Sequence, residues 1–351
     1  MCSGNKELLD MWSNFRELSI HAYAQVYKRL HITFDHFEFE SQMEAFLPKT
    51  LSELSRLNCI KKTNQGTGLY SDFNGKFSPA VLIKDDGTSV YLARDLAAVY
   101  SRLATYGEFD WMLYVVGHAQ KIHFCQLFYL LKELGFNKNK FIHIPFGKVL
   151  GMSTRTGNSV FLEDIINKSK ELVKNYMINN MLSKVSRKSI EEASEQLGIS
   201  AVMVQDLKGS IEKSYEFSWE RVLNFKGYTG IYLQYQYARL CSIERENKDI
   251  VIGSFDEVDM ECLQGSYVVN ITRLLDIFPE VVREALDRRE PSKIVQYSLQ
   301  LAKAFSSASK NLYVKDQPEN IAKARLLLIG CTKTILQSCL ELLNLKPLQK
   351  I

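Results

Sequence analysis

The run Trp111-Met112-Leu113-Tyr114-Val115-Val116 carries no charge, shows no helical spacing and stops at Gly117. An unbroken apolar run of this length reads as a strand buried on both faces, the mark of a parallel sheet with helices on either side. A second run, Phe141-Ile142-His143-Ile144, follows one helical stretch later, at 123–134. Upstream, Val81 to Ile83 and Ser89 to Leu92 read as strands, and 95–106 as an amphipathic helix with Leu96, Val99, Tyr100 and Leu103 on one face. The order strand, helix, strand, helix, strand predicts a parallel sheet with its ligand site at the carboxyl ends of its strands.

Three segments sit at such ends: Asp86 to Asp95, Tyr114 to His123, and Phe146 to Arg155. Each places polar, ligand-sized groups where an apolar run finishes. The first 30 residues have helical spacing (Leu8, Trp12, Phe15, Val26). Ile32 to Phe34 reads as a short strand, and a helix is expected around 42–57. The Gly/Asn/Ser/Thr-rich stretch 64–76 reads as turns or a hairpin. Beyond residue 160 the chain becomes almost wholly helical, with strong helices at about 230–246, 291–308 and 318–343. A composition shift over 212–230 divides the chain into an α/β part, 1–222, and an all-α bundle, 223–351.

At 351 residues there is length for two or three domains, and no stretch of 18 apolar residues that would cross a membrane. No charged-then-apolar leader stands at the start. The net charge of +4 permits a nucleic-acid partner without requiring one. Seven scattered cysteines, with no C-x-x-C, argue against a zinc site or a disulfide framework. They read mostly as reduced, buried small hydrophobes.

Tyr91 and Asp95 are four apart at a strand-to-helix transition. Asp95 either charges a first helical turn or accepts parallel bonds from a guanidinium flanked by the tyrosine. Strand alternation puts Glu38 and Glu40 opposite Phe37 and Phe39, as a solvated edge or as a second carboxylate beside Asp95. Gln120 and His123 lie at the loop and helix start after the central strand, as ordinary helix-start residues or as ligand contacts. Gly147, Gly151 and Gly157 surround Met152-Ser153-Thr154-Arg155, a loop able to approach phosphates. Lys168, Lys170, Lys174, Lys184, Arg187 and Lys188 form a solvated helix face or a phosphate path.

Together with Trp12-Ser13-Asn14-Phe15-Arg16-Glu17-Leu18, Tyr232-Leu233-Gln234-Tyr235-Gln236-Tyr237-Ala238-Arg239 and Ala322-Lys323-Ala324-Arg325, the three segments resemble the arginyl-tRNA synthetases, a class I aminoacyl-tRNA synthetase family. The resemblance implies a partial Rossmann-like catalytic domain followed by a helical anticodon-binding domain. It implies an arginine–tRNA ligase using ATP with Mg2+. Glu40, Tyr91, Asp95 and Gln120 would hold arginine. His123, Val149, Leu150, Met152, Ser153 and Arg155 would face ATP, and Tyr235 and Arg239 would touch the tRNA. No metal ligands are implied.

The chain departs from the family in three places. Phe39 stands where a glycine is usual, the loop reads Gly151-Met152-Ser153-Thr154-Arg155 rather than Lys-Met-Ser-Lys-Ser, and none of the six histidines forms a His-x-Gly-His motif. The expectation is therefore the carboxyl-terminal portion of a synthetase, monomeric when complete, with an apolar sheet edge left uncovered. Leu312 to Pro318 resembles mitochondrial members, which points to the mitochondrial matrix, with the cytoplasm as alternative. The rival reading is a non-catalytic tRNA-binding protein derived from a synthetase.

Overall fold

A computed structural model describes residues 6–64, 66–150, 161–180, 187–222, 227–252 and 254–351. The chain opens on helix α1 (Lys6–Arg29). The described residues fall into two compact units. One comprises Phe34–Lys148 with Glu212–Ser214, and the other comprises those within Met1–Thr33, Val149–Ile211 and Tyr215–Ile351.

The first unit begins with short helices, α2 (Glu40–Met43) and α3 (Leu47–Arg56). The strand expected at Ile32 to Phe34 is absent, and so is the alternation that put Glu38 and Glu40 on one face. Glu40 instead opens α2, where the backbone N–H of Phe39 donates to Gln42 Oε1 at 3.0 Å. Phe39 has an extended φ of −130°, a backbone conformation that does not call for glycine.

Three short strands follow: β1 (Lys61–Lys62), β2 (Leu69–Ser71) and β3 (Ala80–Ile83). They pair antiparallel in that order. The strand expected at 81–83 therefore forms, but in this antiparallel sheet and not in the parallel one. Ser89 makes one bridge to Ile83, and the chain is already helical at Tyr91. Helix α4 (Tyr91–Tyr106) is thus one turn longer than its apolar spacing suggested. It buries Leu92, Ala93, Leu96, Ala97 and Val99, and it stops at Gly107, whose φ of 79° favours a residue without a Cβ.

The parallel unit is β4 (Met112–Gly117), α5 (Lys121–Glu133) and β5 (Phe141–Phe146). Its register runs from Met112↔Phe141 to Gly117↔Phe146. α5 seats Phe124, Leu127, Leu130 and Leu131 in the same core as α4. Among the described residues, the sheet is covered on one face only. Met112, Tyr114 and Val116 pack on that core, whereas Trp111 is 63% exposed, Leu113 47% and Val115 61%. The reading of β4 and β5 as strands buried on both faces therefore fails. Within β5 only Phe141 is fully buried.

In the second unit, β6 (Val149–Leu150) pairs parallel with β7 (Tyr215–Glu216). Helices α6 (Leu162–Asn180) and α7 (Arg187–Leu207) pack together, and Leu30 at the end of α1 is buried against Ile166 and Ile199. A short α8 (Trp219–Val222) precedes the bundle of α9 (Gly230–Glu246), α10 (Ser266–Asp276), α11 (Phe278–Arg288), α12 (Ser292–Ala308) and α13 (Glu319–Leu342). These bounds match the three helices expected there to within a residue or two. Thr229 caps α9 by accepting from Tyr232 N–H. Gly230 lets α9 start directly against α7, since a Cβ there would lie 1.9 Å from the Ser200 carbonyl oxygen.

Candidate functional site

Helix α4 presents Tyr91 and Asp95 one turn apart on one face. The Tyr91 ring is 69% exposed, which leaves it available to flank a ligand. Asp95 Oδ2 lies 2.6 Å from His123 Nε2, at the start of α5. Gln120, immediately before α5, is exposed, and its side chain makes no hydrogen bond among the described residues. The parallel unit thus brings Tyr91, Asp95, Gln120 and His123 to one end of the α4–α5 pair. The order β4, α5, β5 accounts for the Gln120 and His123 side of the site, as the strand-end rule anticipates.

Glu40 is placed differently. Its Oε2 accepts from Arg94 Nη1 at 2.8 Å, and Arg94 Nε donates to Ser89 Oγ at 2.9 Å and approaches Glu44 Oε1 at 3.4 Å. One guanidinium therefore ties α2 to the loop before α4. Arg94 was not singled out from the sequence, although it directly precedes Asp95.

A second group missed by the sequence reading lies on the core side. Arg102 Nε donates to Glu38 Oε2 at 2.8 Å. Beside it, Tyr114 Oη is 2.9 Å from Met112 Sδ. Burial pushes the Tyr114 hydroxyl up to about 12, with Arg102 opposing the rise and Asp95 adding to it. Within its apolar run, Tyr114 reads as plain core. Its hydroxyl lies near the charges of Arg102 and Asp95.

Of the proposed ATP segment, Val149 and Leu150 form β6, with Leu150 45% exposed. Met152, Ser153 and Arg155 lie outside the described residues. Lys170 and Lys174 do not form an open phosphate path. Lys170 pairs with Glu191 and Glu195, and Lys174 pairs with Glu191. Lys168 sits over the Trp219 ring. The side chains of Lys184, Arg187 and Lys188 lie outside the described set.

Tyr235 and Arg239, one turn apart on α9, line a groove of about 600 Å³ with Arg245, Lys350 and Ile351. Tyr235 is 53% exposed. Three cations and one open ring make a surface suited to a phosphate backbone and a stacked base. Gln234, fully buried, fixes the tail that walls this groove, donating to the Lys346 carbonyl and accepting from Leu348 N–H.

Among the described residues no three His, Cys, Asp or Glu side chains are grouped so as to hold a metal, and no helix is long and apolar enough to cross a membrane. The six described cysteines are free thiols, but most are not buried. Cys125 and Cys331 are exposed, Cys59, Cys241 and Cys262 are half-buried, and Cys339 alone of those described is buried.

Comparison with known proteins agrees with this arrangement. Residues 1–219 match the family described as tRNA synthetases class I (R), catalytic domain, and residues 233–351 match the DALR anticodon binding domain. The chain is 37% identical over 354 residues to the cytoplasmic arginine–tRNA ligase of Saccharomyces cerevisiae, covering 100% of this chain and 58% of that protein. It is 34% identical to the mitochondrial arginine–tRNA ligase of the same yeast, covering 99% and 55%. The solved arginyl-tRNA synthetase of Plasmodium falciparum superposes with a TM-score of 0.83 at 28% identity, over 99% of this chain and 60% of that one. The chain thus spans a little over half the length of the curated relatives it matches. By its two matched domains and its fold, the chain belongs to the arginyl-tRNA synthetase family of class I.

Proposed function

We propose that the chain takes part in joining arginine to its tRNA at the expense of ATP. The observation that carries this reading is the cluster of an exposed tyrosine, an exposed glutamine and a carboxylate at one end of α4 and α5. A carboxylate flanked by a ring selects a planar guanidinium over the compact ammonium of lysine. Tyr91, Asp95 and Gln120 hold arginine in this reading, with Glu40 contributing once freed from Arg94. The segment from Val149 through Met152, Ser153 and Arg155 faces ATP, whose Mg2+ arrives with the phosphates. Catalysis is then positioning and charge stabilisation while the arginine carboxylate attacks the α-phosphorus and pyrophosphate leaves.

The groove at Tyr235 and Arg239 takes the tRNA. The family matches end at 219 and resume at 233, which supports a division into 1–222 and 223–351. We assign the mitochondrial matrix on the likeness of Leu312 to Pro318 to mitochondrial members, and a monomer as the working state. Imaging of a tagged chain and sedimentation test these two.

Attachment of radiolabelled arginine to total tRNA, with ATP and Mg2+, tests the activity. Charging that disappears in Asp95→Asn supports the reading. Specific binding of the arginine tRNA without any charging supports the non-catalytic alternative instead.

A further inference from the structure

We infer that His123 is a positioning residue for the guanidinium-binding carboxylate of Asp95, and not an ATP contact. The inference rests on the arginine reading of the site. Three observations converge on it.

The first is the bond itself. His123 Nε2 stands 2.6 Å from Asp95 Oδ2, joining the third residue of α5 to the second turn of α4. A carboxylate four residues into a helix has no other local restraint on its plane. Asp95 accepts no further hydrogen bond among the described residues, so its Oδ1 remains for a ligand.

The second is the support behind the imidazole. The His123 side chain is 22% exposed, and its ring meets Phe124 edge-on at 5.3 Å and 89°. Phe124 is buried and stacks on His143 at 4.5 Å and 23°. His143 Nε2 in turn donates to the Val116 carbonyl at 3.0 Å. A row of three rings therefore ties the imidazole to both parallel strands. A side chain that swings to follow a nucleotide has no use for such support, whereas one that fixes a neighbouring carboxylate does.

The third is the division of labour along α5. Gln120 and His123 are one turn apart, yet Gln120 is exposed whereas His123 is half-buried. With Oδ2 held by the imidazole, a substrate guanidinium docks on Oδ1 in an orientation set before it arrives. Such pre-orientation improves affinity without adding a direct contact.

The test uses the full 351-residue chain and isothermal titration with L-arginine and, separately, with ATP. His123→Ala is expected to raise the Kd for L-arginine at least tenfold and leave that for ATP within twofold. His123→Gln, whose amide reaches the Nε2 position, is expected to restore most of the loss. The melting temperatures of all three proteins are measured alongside. Unchanged arginine affinity in His123→Ala overturns the inference, as does a loss confined to ATP, or a loss that Gln does not repair in a chain as stable as wild type. Absence of L-arginine binding by the wild-type chain overturns the arginine reading, and this inference with it.

Discussion

Arg94 Nη1 and Glu40 Oε2 are 2.8 Å apart, so a carboxylate that the sequence offers to a substrate guanidinium is held by a guanidinium of the chain itself. Arg94→Ala frees Glu40 and unties α2 from the start of α4. Because Glu40 is largely exposed, the loss of stability is expected to be only about 1 kcal/mol by urea unfolding. Arg94→Lys keeps the charge but cannot span Ser89, Glu40 and Glu44 together, and it is expected to recover little of the loss. Full recovery by lysine would show that charge alone matters.

The groove at Arg239 predicts a particular salt dependence. Arg239→Gln and Lys350→Gln are each expected to flatten the slope of log K against log salt for tRNA by about 0.7. Tyr235→Ala is expected to weaken binding by about 1–3 kcal/mol at every salt concentration, with the slope unchanged. Filter binding from low to moderate salt measures both. Slopes untouched by the charge changes would move the RNA elsewhere.

Gly230→Ala places a methyl group where only 1.9 Å separates it from the Ser200 carbonyl oxygen. Backbone must shift on α7 or α9, and the loss is expected to be about 1–3 kcal/mol. A melting temperature equal to wild type would refute so close a contact.

Glu195 supplies a pH dependence. Burial alone would raise its carboxyl, but the bonds from Arg29 and Lys170 outweigh burial and hold it below the usual 4.5. A carboxyl depressed in the folded state stabilises fully at neutral pH, and that gain is lost as pH falls below about 4.5. The stability difference between wild type and Glu195→Gln is therefore expected to shrink on acidification through that range. A difference that stays constant down to pH 3 would contradict the pairing.

Helical periodicity made α9, α12 and α13 legible nearly to their ends, because their apolar stripes face a bundle core. The β4 run misled for a physical reason: Leu113 and Val115 are apolar yet open, and composition alone does not say whether a face is covered. The segment at 81–92 misled differently. β3 pairs with local antiparallel neighbours, and no pattern within four residues records the direction of a partner. Tyr91, Asp95, Gln120 and His123 were visible as motif residues. That Asp95 bonds His123, and that Arg94 holds Glu40, depends on which helices meet, and sequence spacing does not carry that information.

On the proposed reading, Asp95 recognises a guanidinium. Titrating the chain with L-arginine and with L-citrulline, its uncharged isostere, tests it most directly. L-arginine is expected to bind, L-citrulline to bind at least a hundredfold more weakly, and Asp95→Asn to remove most of the difference. Equal binding of the two ligands, or discrimination that survives in Asp95→Asn, would contradict it.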